Sequence, residues 1–188
     1  MDLVEEIVVL AGRDLAVQRP RDSDALVDEH AFEAEEFLPY WAQLWPSGVA
    51  LAQAVASRAL RGARVLEVGC GLGLPSLAAA LAGGRVLATD WSTMAIDLLR
   101  DNAQRNGAVL QAAVLSWTEA DALLERGPFD LVLAADVIYE RSNAPVLADL
   151  LPRLGREVLF ADPGRPALDD FLARTGTVWR RPPVYRLQ

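Results

Sequence analysis

The chain has 188 residues, 52% hydrophobic and 23% charged, and its 18 basic residues are all arginine. That length, with 13 glycines and 11 prolines, is sized for a single domain with one sizeable core and excludes collagen-like or low-complexity architectures. A formal charge of −8 argues against a nucleic-acid partner, because neutralising phosphates needs a basic face, and favours basic macromolecular partners. One cysteine, Cys70, cannot close an internal disulfide, and together with the single His30 it leaves little material for a metal site. Acids follow Met1 where a targeting peptide would carry bases, and the longest apolar run, Leu72 to Gly84, is too short for a membrane span and contains Pro75. The expectation is a soluble, cytoplasmic, monomeric protein with no metal and no membrane partner.

In chain order, Val4 to Leu10 and Asp14 to Arg19 read as two short strands turned by Ala-Gly-Arg. Asp28 to Leu38 follows as a short acidic helix, with Glu29, Glu33 and Glu36 opposite Phe32 and Phe37, ended by Pro39. An aromatic segment, Pro39-Tyr-Trp-Ala-Gln-Leu-Trp-Pro46, precedes an alanine-rich helix over Ser47 to Leu60, with Ser47 as N-cap and Gly62 as its stop. Then short apolar runs at 64–68, 85–89, 109–115, 129–134 and 157–160 alternate with helical stretches at 75–82, 93–105, 119–126 and 144–154. Alternation at this spacing implies right-handed β-α-β crossovers and a parallel sheet covered on both faces, so the fold class is α/β. Thr177 to Arg180 and Val184 to Leu187 suit two final strands about an Arg-Pro-Pro turn.

Ligands of open α/β sheets bind beyond the carboxyl ends of the strands. The first such end reads Glu67-Val-Gly69-Cys-Gly71-Leu-Gly73, where alternate glycines allow a tight turn and bring backbone N–H groups against a ligand that a Cβ would block. A dinucleotide fingerprint is disfavoured, because its third glycine would fall at Leu74 and Gly73 comes one residue early. The next strand ends at Asp90, 17 residues beyond Gly73, where a carboxylate can accept both hydrogen bonds of a ribose diol; its structural alternative is to cap the next helix, a role Ser92 fills equally well. Trp117 follows the third strand and can wall an adenine pocket or simply close the core, while Asp136 and Tyr139 project beyond the fourth. Cys70 reads as packing between glycines, with no basic group in the motif to activate it.

The glycine loop, opened by Glu67, resembles motif I of class I S-adenosylmethionine-dependent methyltransferases. With Leu44-Trp45-Pro46, Asp90, Asn102 to Asn106, Leu115-Ser-Trp117 and Ala135-Asp-Val-Ile-Tyr139, the chain looks like the seven-β-strand protein-lysine methyltransferases, methyltransferase family 16. The last stretch matches that family's D-x-x-Y signature, which is more specific than the glycine loop. The resemblance implies a Rossmann-like, mostly parallel seven-stranded sheet with helices on both faces, preceded by an N-terminal extension over 1–46 and followed by a catalytic core over 47–188. It also implies S-adenosyl-L-methionine as cofactor, held by Trp45, Glu67, Gly69, Gly71, Gly73, Asp90, Trp91, Trp117 and Ala135, with Asp136 and Tyr139 facing a substrate lysine. Pro39-Tyr-Trp-Ala42 and Ala161-Asp-Pro-Gly-Arg-Pro166 are similar to the branch of the family that acts on the electron-transfer flavoprotein β-subunit, which makes that protein a candidate partner.

Methyl transfer from an activated sulfonium asks the protein mainly for alignment. The amine must first lose its proton, and a carboxylate alone would oppose that, since the free lysine pKa is about 10.4. Asp136 is therefore expected to orient the amine by hydrogen bonding, and Tyr139 to shape its channel. Two other readings stay open on sequence: a small-molecule N- or O-methyltransferase on the same scaffold, and a cofactor-binding interaction module without activity. Glu29, Glu33, Glu35 and Glu36 could form a rim that steers a lysine-rich surface, or simply a solvated face. Asp162 and Arg165 lie at the functional edge, with a substrate role left open.

Overall fold

The computed structural model describes residues 1–23, 26, 39–177 and 179–187. The acidic helix expected over Asp28 to Leu38, with its glutamate rim, lies outside them. β1 (Leu3–Leu10) and β2 (Arg13–Pro20) form an antiparallel hairpin in full register, closed by a two-residue turn at Ala11-Gly12. α1 (Pro46–Ala56) begins one residue before the expected start and stops short of Leu60. Proline suits a first helical position because its φ is fixed and its missing N–H would be unpaired there. Ser47 consequently lies inside the helix, buried, and Trp45 takes the N-cap position, which corrects the expected Ser47 cap.

Five parallel strands follow, each linked to the next through a crossover helix: β3 (Arg64–Val68), α2 (Leu74–Leu81), β4 (Arg85–Asp90), α3 (Thr93–Asn106), β5 (Gln111–Val114), α4 (Ala120–Glu125), β6 (Leu131–Ala135), α5 (Asn143–Leu154) and β7 (Val158–Ala161). α6 (Leu168–Arg174), β8 (Trp179–Arg181) and β9 (Val184–Leu187) complete the order. The seven strands of the main sheet lie in the order β5-β4-β3-β6-β7-β9-β8, with β9 antiparallel to both neighbours. β5 is an edge strand and shorter than its apolar run, since Val109 is left 88% exposed.

The apolar runs divide their residues between two cores. Val65, Leu131, Leu133 and Leu159 face Leu51, Leu77 and Leu99 of α1, α2 and α3. Leu66, Val132 and Phe160 face Leu123, Leu151 and Phe171 of α4, α5 and α6. Period-two alternation with both faces covered is why these strands read as continuous hydrophobic runs. The chain leaves β3 in one direction through β4 and β5, then returns to the other side through β6 and β7. The carboxyl ends of β3 and β6 thus flank the switch point where such sheets bind ligands. No helix among the described residues is long and apolar enough to cross a membrane.

The hairpin is stitched to α3 by two asparagines one turn apart. The Asn102 amide donates to and accepts from the backbone of Gln18, at 3.0 and 2.8 Å, and Asn106 does the same with Ala16, at 2.8 and 2.9 Å. A side-chain amide offers the donor and acceptor of a peptide group, so α3 stands in for a neighbouring strand along the open edge of β2.

Candidate functional site

All eleven residues expected at the site border one cavity of about 310 Å³ above the carboxyl ends of β3, β4 and β6. Its floor is the loop after β3. Gly69, Gly71 and Gly73 have φ of +66°, +50° and +74°, a region open to glycine at little cost. The protein itself adds a reason: a Cβ at Gly69 would lie 2.8 Å from the Trp117 ring and 2.9 Å from Val137, one at Gly71 would lie 3.2 Å from the Trp41 carbonyl, and one at Gly73 would overlap Leu99. Protein packing and left-handed backbone thus already require glycine at these three positions.

Two carboxylates rise beside this loop. Asp90 accepts from the Gly71 N–H at 2.9 Å and the Ser92 N–H at 3.0 Å, one to each oxygen, while Ser92 itself caps α3 by accepting from Ala95. Burial raises the Asp90 carboxyl above its ordinary value, against the pull of those backbone donors. Glu67 is fully enclosed and accepts from both the backbone N–H and the hydroxyl of Ser76, at the start of α2. Burial pushes its pKa up to about 8 despite those bonds. The Cys70 thiol between them is driven well above its usual range by burial and by both neighbouring acids, which fits packing and rules against a thiolate nucleophile.

Aromatic rings line the mouth. Trp45 donates its indole N–H to the Tyr40 carbonyl at 2.8 Å, Tyr40 packs on Tyr139 with ring centres 4.9 Å apart, and Tyr139 meets Trp117 edge-on at 6.4 Å. Trp91 and Ala135 also border the cavity. The Tyr139 phenol is raised to about 12, chiefly by burial, so it is neutral at physiological pH.

Asp136 stands at the rim with φ +60°, the one non-glycine residue at positive φ among those described. One of its oxygens accepts from Arg165 at 2.6 Å, and the same guanidinium nitrogen donates to Asp162 at 2.8 Å. The other oxygen of Asp136 and the Ser47 hydroxyl are sealed from solvent without a hydrogen-bond partner among the described residues, although Ser47 is near enough to favour the charged carboxylate. Burial raises the Asp136 carboxyl above its ordinary value, and Arg165 pulls it back down.

Tyr40, Trp41, Gly48 and Arg165 also line the cavity, without having been assigned to it from sequence. Arg165 had one visible signal, its place just after the last parallel strand. Tyr40 and Trp41 reach the site through a short 3-10 turn, Tyr40–Ala42, whose position tertiary packing decides.

The lining also discriminates among ligands. Among the described lining residues, Glu67, Asp90 and Asp136 supply three carboxyls against a single basic group, Arg165, which is itself tied to two acids. With Glu67 largely protonated near neutral pH, the acidic groups of Asp90 and Asp136 still disfavour a pyrophosphate and suit a ligand with a cationic centre and a diol, which is the chemistry of S-adenosyl-L-methionine.

Comparison with known proteins agrees with this geometry. The family model described as "Lysine methyltransferase" matches residues 34–161, well over half of the chain. The chain belongs to the lysine methyltransferase family. Among its relatives, the electron transfer flavoprotein beta subunit lysine methyltransferase of Xenopus laevis is 37% identical over 136 residues, covering 68% of this chain and 53% of that protein. Protein N-lysine methyltransferase METTL21A of Danio rerio is 36% identical over 100 residues, covering 50% and 45%. The chain thus spans about half the length of the relatives it matches. The T. thermophilus 16S rRNA N2 G1207 methyltransferase RsmC, solved in complex with AdoMet and guanosine, shares the fold with a TM-score of 0.65 at 16% identity, over 98% of this chain and 49% of that one.

Proposed function

We propose that this chain transfers methyl groups from S-adenosyl-L-methionine to lysine side chains of a protein substrate, with S-adenosyl-L-homocysteine as the product. The observation that carries the reading is the convergence of Glu67, Asp90 and Asp136 from three strand ends on one cavity where the single basic group among the described lining residues, Arg165, is already paired. When bound, the cofactor supplies a methyl already activated by positive sulfur, so the protein's task is to place an amine in line with it.

In this reading Asp90, anchored by Gly71 and Ser92, holds the ribose diol with the lone pairs it has left. Glu67 steadies the loop and faces the cationic amino group. Trp117, Trp45, Trp91, Ala135 and the backbone at Gly69, Gly71 and Gly73 complete the cofactor pocket. Asp136 accepts from the substrate amine, and the neutral Tyr139 phenol with Tyr40 forms the wall of its channel. Apolar walls favour the uncharged amine, which is the form that can attack.

The electron-transfer flavoprotein β-subunit is the first substrate to test, given what the Xenopus relative is named for. The purified chain, labelled cofactor and that subunit are incubated together, and the subunit is mapped by mass spectrometry for methyl increments on lysine. Label found only in small solutes of a cell extract would move the acceptor to a small molecule. Absence of S-adenosyl-L-methionine binding by calorimetry would sink both enzymatic readings.

A further inference from the structure

We propose that Arg165 is a positioning residue of the amine pocket, one that fixes Asp136 through a single oxygen and sets the charge that an incoming lysine meets. This deepens the proposed function and rests on its placing of an amine beside Asp136.

The observation is a chain of three side chains, Asp136, Arg165 and Asp162, joined through one guanidinium nitrogen at 2.6 and 2.8 Å. Asp162 is fully buried and is itself pinned, accepting from the backbone N–H of Gly164 at 2.8 Å and of Arg165 at 2.7 Å. The anchor is therefore rigid, and Arg165, only 19% exposed, carries that rigidity to Asp136. Asp136 needs such a grip. A non-glycine residue at φ +60° persists only where its surroundings over-determine it, and here the Asp136 N–H donates to Ala161 while its carboxylate is held by Arg165. The grip uses one oxygen; the other makes no hydrogen bond of ordinary geometry among the described residues, with the Ser47 hydroxyl, likewise unsatisfied, near the carboxylate.

The charge follows from the same three groups. Two carboxylates and one guanidinium leave a net −1, enough to draw in a lysine ammonium and be neutralised by it. With Arg165 removed the amine would face two uncompensated carboxylates, which would hold its proton and withhold the lone pair. The other titratable groups around the cleft among the described residues are Glu67 and Asp90 at the ends of β3 and β4, the Cys70 thiol between them, the phenols of Tyr40 and Tyr139, and Glu140 beyond Tyr139. Among the described lining residues none but Arg165 is basic, so no other group can take over its role.

The test uses n-butylamine, a lysine side-chain analogue, labelled with carbon-13 next to nitrogen and titrated by NMR in the presence of protein saturated with S-adenosyl-L-homocysteine. In the wild type the bound amine should lose its proton at a lower pH than in Arg165→Gln, by about one unit or more. Arg165→Lys should keep the wild-type titration while binding the amine more weakly, because the charge remains and the fixed planar guanidinium that holds Asp136 in place is replaced by a flexible ammonium. Thermal melts confirm that both variants are folded. Equal titration in wild type and Arg165→Gln overturns the inference while leaving the amine pocket standing, and failure of butylamine to bind the wild type overturns both. A further arm follows the pH profile of kcat/KM for methyl transfer to the flavoprotein subunit, which should move to higher pH in Arg165→Gln. Butylamine results as expected with no transfer by the wild type would instead locate the failure in the proposed substrate.

Discussion

Left-handed backbone costs a non-glycine residue about 1–2 kcal/mol, and Asp136 bears that cost at the rim of a cavity, beneath an arginine that grips it. Asp136→Asn keeps the shape of the side chain and removes its charge. The expected result is S-adenosyl-L-methionine affinity close to wild type by calorimetry, with methyl transfer lower by about 10²-fold or more, since the amine is no longer aligned. Unchanged turnover would remove Asp136 from the chemistry. Gly73 makes a demand that reads out on stability. Gly73→Ala places a Cβ into Leu99 at φ +74°, and the combined strain and overpacking should cost about 2 kcal/mol or more. A fall of about 4–8 °C in Tm would register it. Glu67 couples the site to pH. Its carboxyl is at about 8 in the folded chain against an ordinary 4.5, so between those values the folded state keeps a proton that the unfolded chain has released. Stability from this group is full below the lower value and is lost as pH rises through the upper one. Glu67→Gln removes the titration. Denaturation midpoints of wild type and variant should therefore diverge as pH rises from 5 to 8, the variant keeping more of its low-pH stability. Parallel curves would refute the linkage.

At the scale of elements, what the sequence made legible was what burial on both sides imposes. β3 occupies Arg64–Val68 as its apolar run indicates, because alternate residues of such a run serve two different cores and none can be polar without cost. The five parallel strands, the final antiparallel pair and the convergence of the glycine loop, Asp90, Trp117 and Asp136 on one edge all follow from that pattern. α6 did not announce itself, since it has only seven residues and sets just Leu168, Phe171 and Leu172 into the core. The pairing of Arg165 with Asp136 was likewise hidden, because the two are 29 positions apart and meet only when β7 lies beside β6. The asparagines of α3 are a third case, placed by sequence but explained only by the hairpin docked on them. Asn102→Ala with Asn106→Ala would strand four backbone groups of β2 that now have side-chain partners. Hydrogen exchange at the amides of Ala16 and Gln18 should speed up, and global stability should fall by about 1–3 kcal/mol. Protection unchanged at those two amides would mean that Leu15 and Val17, both fully buried, hold the hairpin by themselves.

For the whole molecule, the absence of lysine and the charge of −8 bear on the same experiment. The arginines do structural work that a point charge would do less well: Arg58 forks onto both oxygens of Glu157 at 3.1 and 2.6 Å, and Arg64 spans the carbonyls of Arg126 and Pro128. None of the 188 residues, however, offers an ε-amine. Incubated alone with labelled cofactor, the chain should therefore yield no methyl-lysine on hydrolysis, and any methyl-lysine that appears when a second protein is added must belong to that protein. The negative balance then predicts how the two meet. A lysine-rich surface is drawn toward an acidic enzyme over a distance that salt shortens, to about 8 Å at physiological ionic strength. Raising salt from 0.05 to 0.5 M, on the order of a threefold contraction of that range, should raise KM for a basic protein substrate and leave kcat nearly constant, because the paired charges of the amine pocket are shielded from solvent. A KM that does not move with salt would confine recognition to the cavity itself.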